Sequence, residues 1–345
     1  MIRTILVCEA QVPFVQGGAE FHVRELVGQL RHAGYDTELV SVPFKWYPKQ
    51  EILAHAAAWR LLDLSECNGR PIDLVIATKF PTYFVRHPNK VVWLIHQYRA
   101  AYELVGTRYS DFFHIEDDVA TRERLIALDT AMLGECRRRF ANSANTAART
   151  GRYNGLDVTP LYHPPRLAAT LREGPSQGYV LSVGRLESVK RVDLAIRALA
   201  HAPAGVSLLI AGTGTQRAAL EELTASLDLS GRVRFLGEVH DADLIDLYAG
   251  ALGVIFPPYD EDYGYVTIEA FLAHKPVVTT TDAGGPNEFV IDGVNGCVAE
   301  ATPEALGEAL GRLHADPQRA AAWGHAGYER ARTITWEGVI ERLVG

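Results

Sequence analysis

The sequence predicts an α/β protein made of two doubly wound parallel-sheet domains facing a cleft, and three observations carry the prediction. Short β-branched apolar runs alternate with helical patterns through both halves of the chain. The 345 residues exceed what one core of ~150 residues usually needs, and 48% apolar with 22% charged residues is an ordinary globular composition. Charge also divides the chain: up to Arg172 there are 21 Lys and Arg against 18 Asp and Glu, and beyond it 13 against 24. The overall charge of −8 excludes a typical nucleic-acid binder. The expected boundaries are 1–165 for the first domain and 166–329 for the second, with residues 330–345 packing back on the first.

The elements follow in order. Ile2 to Cys8 reads as a strand, Phe21 to Leu30 as an amphipathic helix stopped by Gly34, and Thr37 to Val42 as the next strand. Asp73 to Ala77 and Lys90 to Ile95 are buried-strand candidates, and Leu125 to Phe140 looks helical. After Tyr162-His163-Pro164-Pro165-Arg166, where paired prolines favour an extended connection, a second series begins. Its strands are Tyr179 to Val183, Val206 to Ala211, Val233 to Leu236, Ala251 to Phe256 and Pro276 to Thr280. Its helices include Val192 to Ala200, Gln216 to Leu227 and Tyr265 to Ala273. Cys8, Cys67, Cys136 and Cys297 are too far apart for a zinc motif and read as free core thiols. The apolar run Ile5 to Cys8 is too short for a signal sequence or a membrane span. The expected location is therefore the cytoplasm.

In open α/β sheets, ligands bind beyond the carboxyl ends of the strands, so the loops there carry the candidate chemistry. Gly17-Gly18 lies between the first strand and the first helix, where backbone amides can face a phosphate; on its own it is equally a turn. Arg185 and Lys190 follow the strand Tyr179 to Val183 and can converge on a diphosphate, as a fork of donors and a point charge. Gly212-Thr213-Gly214 imitates a dinucleotide fingerprint but has Arg217 where a third glycine belongs, so a tight turn is expected.

The segment Pro257 to Ala270 is the most informative. Glu261 lies in its loop and Glu269 one turn into the following helix, while Gly264, Tyr265 and Val266 can offer backbone amides to an anion. Asp260-Glu261-Asp262 also spells a pattern that holds a divalent cation in some sugar transferases; three consecutive acids in a loop are more often simply solvated, and no metal is expected. His96 closes the strand Lys90 to Ile95.

Together these segments resemble the retaining glycosyltransferases of family 4, which have the GT-B fold. Gly17-Gly18-Ala19-Glu20, Val183-Gly184-Arg185-Leu186 with Lys190, Gly212-Thr213-Gly214, the pair Glu261 and Glu269, Gly284-Gly285-Pro286-Asn287-Glu288 and Asp292-Gly293-Val294-Asn295-Gly296 carry the likeness. The resemblance implies transfer of a sugar from a nucleoside diphosphate to a saccharide or lipid-linked acceptor in surface polysaccharide synthesis, with retention and no cofactor. Arg185 and Lys190 would neutralise the diphosphate, assisted by amides near Gly18 and from Gly264 to Thr267. Glu269 would bond the ribose, Glu261 and His96 the transferred sugar, and the loop Gly237-Glu238-Val239 would face the base. The stretch Glu261-Asp262-Tyr263-Gly264-Tyr265-Val266 departs from the family's usual E-G-F-G-L-P. A peripheral membrane contact through the amino-terminal domain is a further expectation, although Arg137-Arg138-Arg139 is its only basic cluster. Alternatives are a nucleotide-sugar epimerase, a phosphorolytic enzyme, a non-catalytic nucleotide-sugar binder and, weakened by Arg217, a nicotinamide dehydrogenase.

Overall fold

Apolar runs shape both sheets. A computed structural model describes residues 2–14 and 17–345. The chain divides into two compact units, one formed by residues 1–163 with 335–345 and the other by residues 164–334. The first contains β1 (Thr4–Gln11), α1 (Gly18–His32), β2 (Asp36–Pro43), α2 (Glu51–Leu61), the small hairpin of β3 (Glu66–Cys67) and β4 (Arg70–Pro71), and β5 (Leu74–Ala77). It continues through β6 (Lys90–Leu94), α3 (Glu116–Gly134), β7 (Arg138–Ala141), α4 (Ala144–Asn154) and β8 (Thr159–Pro160). Its sheet is parallel, in the order β2-β1-β5-β6-β7-β8. Leu74 to Ala77 are all buried, as expected of a strand covered on both faces.

The second unit contains β9 (Tyr179–Val183), α5 (Val192–His201), β10 (Ser207–Ala211), α6 (Arg217–Ser226), β11 (Val233–Gly237), α7 (Asp241–Gly250) and β12 (Gly253–Ile255). Next come α8 (Tyr265–Leu272), β13 (Val277–Thr280), β14 (Gly296–Ala299), α9 (Pro303–Ala315) and α10 (Pro317–Ala331). Its parallel sheet runs β11-β10-β9-β12-β13-β14. The chain then returns to the first unit as α11 (Trp336–Val344), capped by Thr335. Trp336, Val339, Leu343 and Val344 pack there among Ile5, Val7, Leu26, Leu30 and Trp93.

Several expectations need correction. The expected helix Leu125 to Phe140 is displaced: α3 occupies Glu116–Gly134, opening on Glu116, Asp117 and Asp118, whose charges favour a helix N-terminus. Arg138 to Ala141 instead pair with Val91 to Leu94 as a strand. The first crossing falls between His163 and Pro164, because His163 is bonded within the first unit to His22, at 2.8 Å. The returning segment starts at Thr335, not near 330. Cys67 is exposed on the hairpin, whereas Cys8, Cys136 and Cys297 are buried. The arginine cluster is partly structural: Arg138 donates to the carbonyls of Arg342 and Leu343 at the end of α11, and Arg139 to those of Asp157 and Cys136. Among the described residues no helix is long and apolar enough to cross a membrane.

Candidate functional site

Sheet order places the site of the second unit. Strands are added outward in both directions from β9, so the loops leaving β9 and β12 diverge and open a crevice at their carboxyl ends. The loop after β9 carries Arg185 and Lys190, and the loop after β12 carries Glu261. These loops meet: the Tyr259 amide bonds the Val189 carbonyl at 2.8 Å, and Lys190 Nζ is ion-paired with Glu261 Oε2. The sequence reading gave these two side chains separate tasks. In the structure they neutralise each other, and their side chains keep 18% and 15% of their exposure. Arg185 is exposed and, among the described residues, forms no ion pair.

The residue that organises this crevice is one the sequence reading passed over. Arg191 directly follows Lys190, has a left-handed backbone (φ 49) and is buried. Its guanidinium donates to the carbonyls of Pro257 and Pro258, to the Thr280 hydroxyl and to both carboxylate oxygens of Asp282, all at 2.6 to 2.9 Å. One side chain thereby ties the loops after β12 and β13 to the loop after β9. Burial alone would raise the Asp282 carboxyl, but the Arg191 hydrogen bonds hold it below its ordinary value. Backbone bonds from Asp260 to Asp282, Glu261 to Ala283 and Gly285 to Glu261 complete the join. No cue beyond the adjacent basic pair could have singled out Arg191.

Gly264 caps α8 in a left-handed conformation (φ 81), and a side chain there would run into the Pro286 ring. This turn sets Tyr265 and Val266 at the helix N-terminus, where the dipole is positive. The Thr267 amide, expected to serve an anion, donates to the Gly264 carbonyl at 2.9 Å and belongs to the turn. Gly212-Thr213-Gly214 is a close approach of two backbones, not a tight turn. A Cβ on Gly212 would stand 1.9 Å from the Gly184 carbonyl oxygen, and Leu186 bonds the Thr213 carbonyl across the gap. Asp292 to Gly296 feeds β14, with buried Asn295 bonding the Ile291 amide and the Phe289 carbonyl.

Glu269 lies in α8 with its carboxylate accepting from the Tyr248 hydroxyl of α7 at 2.7 Å. Burial pushes its carboxyl above the ordinary range, against the opposing pulls of Tyr248 and the Arg166 guanidinium. Arg166 is ion-paired with Asp241, two residues beyond the half-buried Val239, so the loop after β11 and Glu269 belong to one neighbourhood. Among the described residues no three His, Cys, Asp or Glu side chains converge as metal ligands.

Gly17, Gly18 and His96 belong to the first unit. Gly17 is the extended N-cap of α1 and Gly18 its first residue. His96 lies just past β6, half-buried, with Nδ1 donating to the Gln97 carbonyl at 2.7 Å. The first unit's crevice, between β1 and β5, holds a pair the sequence reading missed: Lys79 and Glu20, both buried, 2.8 Å apart. Glu20 stood inside the quoted Gly17-Gly18-Ala19-Glu20, but nothing in the sequence linked it to a lysine 59 positions away.

Residues 167–330 match the family model described as glycosyl transferases group 1. A D-inositol 3-phosphate glycosyltransferase of Salinispora tropica is 35% identical over 49% of this chain and 38% of its own, and that of Nocardia farcinica is 32% identical over 62% and 52%. These two matches thus span less than two thirds of the relatives' own length; a Segniliparus rotundus relative of the same name is 27% identical over 89% and 73%. Among solved structures, sucrose-phosphate synthase from Thermosynechococcus elongatus superposes with a TM-score of 0.77 at 20% identity, covering 99% of this chain and 97% of that one. The Anabaena protein HepE, solved with UDP and glucose, gives 0.72 at 18%, covering 99% and 98%. The chain thus has two parallel-sheet units in the GT-B fold, and its second unit is similar to the glycosyl transferases group 1.

Proposed function

We propose that this chain transfers a sugar from a nucleoside diphosphate donor to an acceptor hydroxyl, with retention of anomeric configuration and without an obligatory metal. The observation that carries the reading is the Lys190 and Glu261 ion pair at the crevice between β9 and β12, on loops clamped by Arg191. An entering diphosphate replaces Glu261 as the partner of Lys190. Arg185, from the same loop, adds a second cation, and the amides opening α8 add the positive end of a dipole. Glu261, released from Lys190, accepts from hydroxyls of the donor sugar, and Glu269 accepts from the ribose. As the glycosidic bond to the diphosphate breaks, negative charge grows on the phosphate oxygens, and cations fixed beforehand stabilise it most. The loop at Val239 faces the base. His96 keeps the role its resemblance implies, contact with the transferred sugar, and Gly17 and Gly18 that of amides near the phosphates.

The names of the relatives support this reading: one set acts on D-inositol 3-phosphate, and HepE was solved with UDP and glucose. A saccharide or lipid-linked saccharide is the acceptor class we propose, in polysaccharide synthesis in the cytoplasm, at the inner face of the membrane where the acceptor is lipid-linked. A thermal-shift screen of UDP-, GDP-, dTDP- and ADP-sugars, followed by transfer assays in excess EDTA with the product anomer read by NMR, tests it. One donor class should stabilise the protein and transfer should persist with retention. Inversion, or activity lost on chelation and restored by Mg2+ or Mn2+, overturns the corresponding part, and turnover of the donor with no acceptor present favours an epimerase instead.

A further inference from the structure

The last turn of α7 holds a tyrosine whose hydroxyl serves one carboxylate. Tyr248 is fully buried and donates to Glu269 Oε2 at 2.7 Å. Its place is fixed by the chain around it. The Ala251 amide bonds the Tyr248 carbonyl, the Leu252 amide bonds the Tyr179 carbonyl in β9, and the Tyr179 hydroxyl bonds the Leu247 carbonyl. The end of α7 is thus pinned to the central strand of the sheet, and the Tyr248 ring with it. Among the described residues this hydroxyl is the one hydrogen-bond partner of the Glu269 carboxylate.

Resting on the reading of Glu269 as the ribose carboxylate, we propose that Tyr248 is a positioning residue for the nucleotide: by holding Oε2 it fixes the plane of the carboxylate and presents Oε1 to the ribose hydroxyls. A ribose offers two neighbouring donors, and a carboxylate meets both only in a restricted orientation. Fixing that orientation beforehand removes the cost of ordering the side chain on binding. The same bond also favours the charged carboxylate, while burial opposes it. The other charged groups acting on Glu269 are Arg166, which favours ionisation, and Asp241, which opposes it, and these two are paired with each other. From α10, the helix packed on α8, His325 and Tyr328 lie against His274, beyond the far end of α8.

The test is Tyr248→Phe, which keeps the ring and removes the donor. Binding of the nucleoside diphosphate preferred by the wild type, chosen from UDP, GDP and ADP, is measured beside its 2′,3′-dideoxy analogue at pH 7. The expected result is an about tenfold weaker ribonucleotide and an unchanged dideoxy analogue. With a working acceptor, the donor KM rises while kcat holds. The penalty should also vanish in a Glu269→Gln background. Equal loss on both nucleotides, no loss on the ribonucleotide, or the same penalty without the carboxylate overturns the proposal. A wild-type protein that binds none of the three overturns the proposal, and one that fails to bind dTDP as well overturns the functional reading, which separates the two failures.

Discussion

The two units each carry a lysine and glutamate pair at the place where their sheet changes its direction of growth, and the pairs differ in how far water reaches them. In the first unit, Lys79 and Glu20 keep 8% and 7% of their side-chain exposure; in the second, Lys190 and Glu261 keep 18% and 15%. Burial would raise the Glu20 carboxyl, yet the Lys79 charge and hydrogen bond hold it below its ordinary value. A pair sealed in this way is a fixture, since removing one partner strands the other in a dry interior. The more open pair lies on loops whose backbone is already held by Arg191, so its members can change partners without unravelling the site. The same two residue types at equivalent places in two similar folds thus do different work, and access to water decides which.

Substitutions can break that contrast. Lys79→Ala should have the largest effect, destabilising the first unit by about 4 kcal/mol. Urea unfolding followed by tryptophan fluorescence reads that unit, because Trp46, Trp59, Trp93 and Trp336 belong to it and only Trp323 to the other. Lys190→Ala should leave the urea midpoint unchanged when unfolding is followed by far-UV circular dichroism, which reports both units, and lower turnover by about a hundredfold, as loss of one preorganised charge does. If both variants unfold alike, or if Lys79→Ala leaves the midpoint in place, the distinction between fixture and exchangeable pair is lost.

Smaller effects sharpen it within the second unit. Glu269→Gln should weaken binding of the bare nucleoside diphosphate by about 2 kcal/mol in isothermal titration. Glu261→Gln should leave that binding in place or tighten it, because Lys190 gains a free charge, while slowing transfer. In the first unit, burial, the neighbouring His163 and the Lys79 charge keep His22 neutral well below its ordinary value. An unfolded histidine takes up a proton below pH ~6.5, so the stability supplied by neutral His22 is complete above that pH and falls as the solution becomes more acid. Fluorescence-monitored unfolding at pH 7.5 and 5.5 should show this loss in the wild type and a smaller one in His22→Gln.

Strands that are buried on both faces were legible because their sequence is apolar throughout: β9 was read to the residue, and β1, β5 and β6 to within three. α4 was not, since Ala144 to Asn154 is polar and small, and its limits come from the Ser143 cap and left-handed Gly155. The placement of the candidate site residues was legible as well, for Lys190 and Glu261 were expected in loops after strands and Glu269 on the following helix, where they lie. Their partners were not. Lys190 meets Glu261 only because β9 and β12 are neighbours, Glu269 meets Tyr248 across two helices, and Arg191 turns inward on one backbone angle. Strand order and a single φ are tertiary facts that no local spacing encodes.

Because α11 completes the core of the first unit, that unit is written in two pieces with the whole second unit between them. During synthesis the ribosome therefore finishes the unit it began second while the one it began first still lacks Trp336, Val339, Leu343 and Val344. Until those residues emerge, the flank of Trp93 and Leu30 that they cover has nothing to pack against. The nascent chain thus carries an open apolar seam through the making of residues 164–334, and chaperone contact during translation should concentrate on that seam.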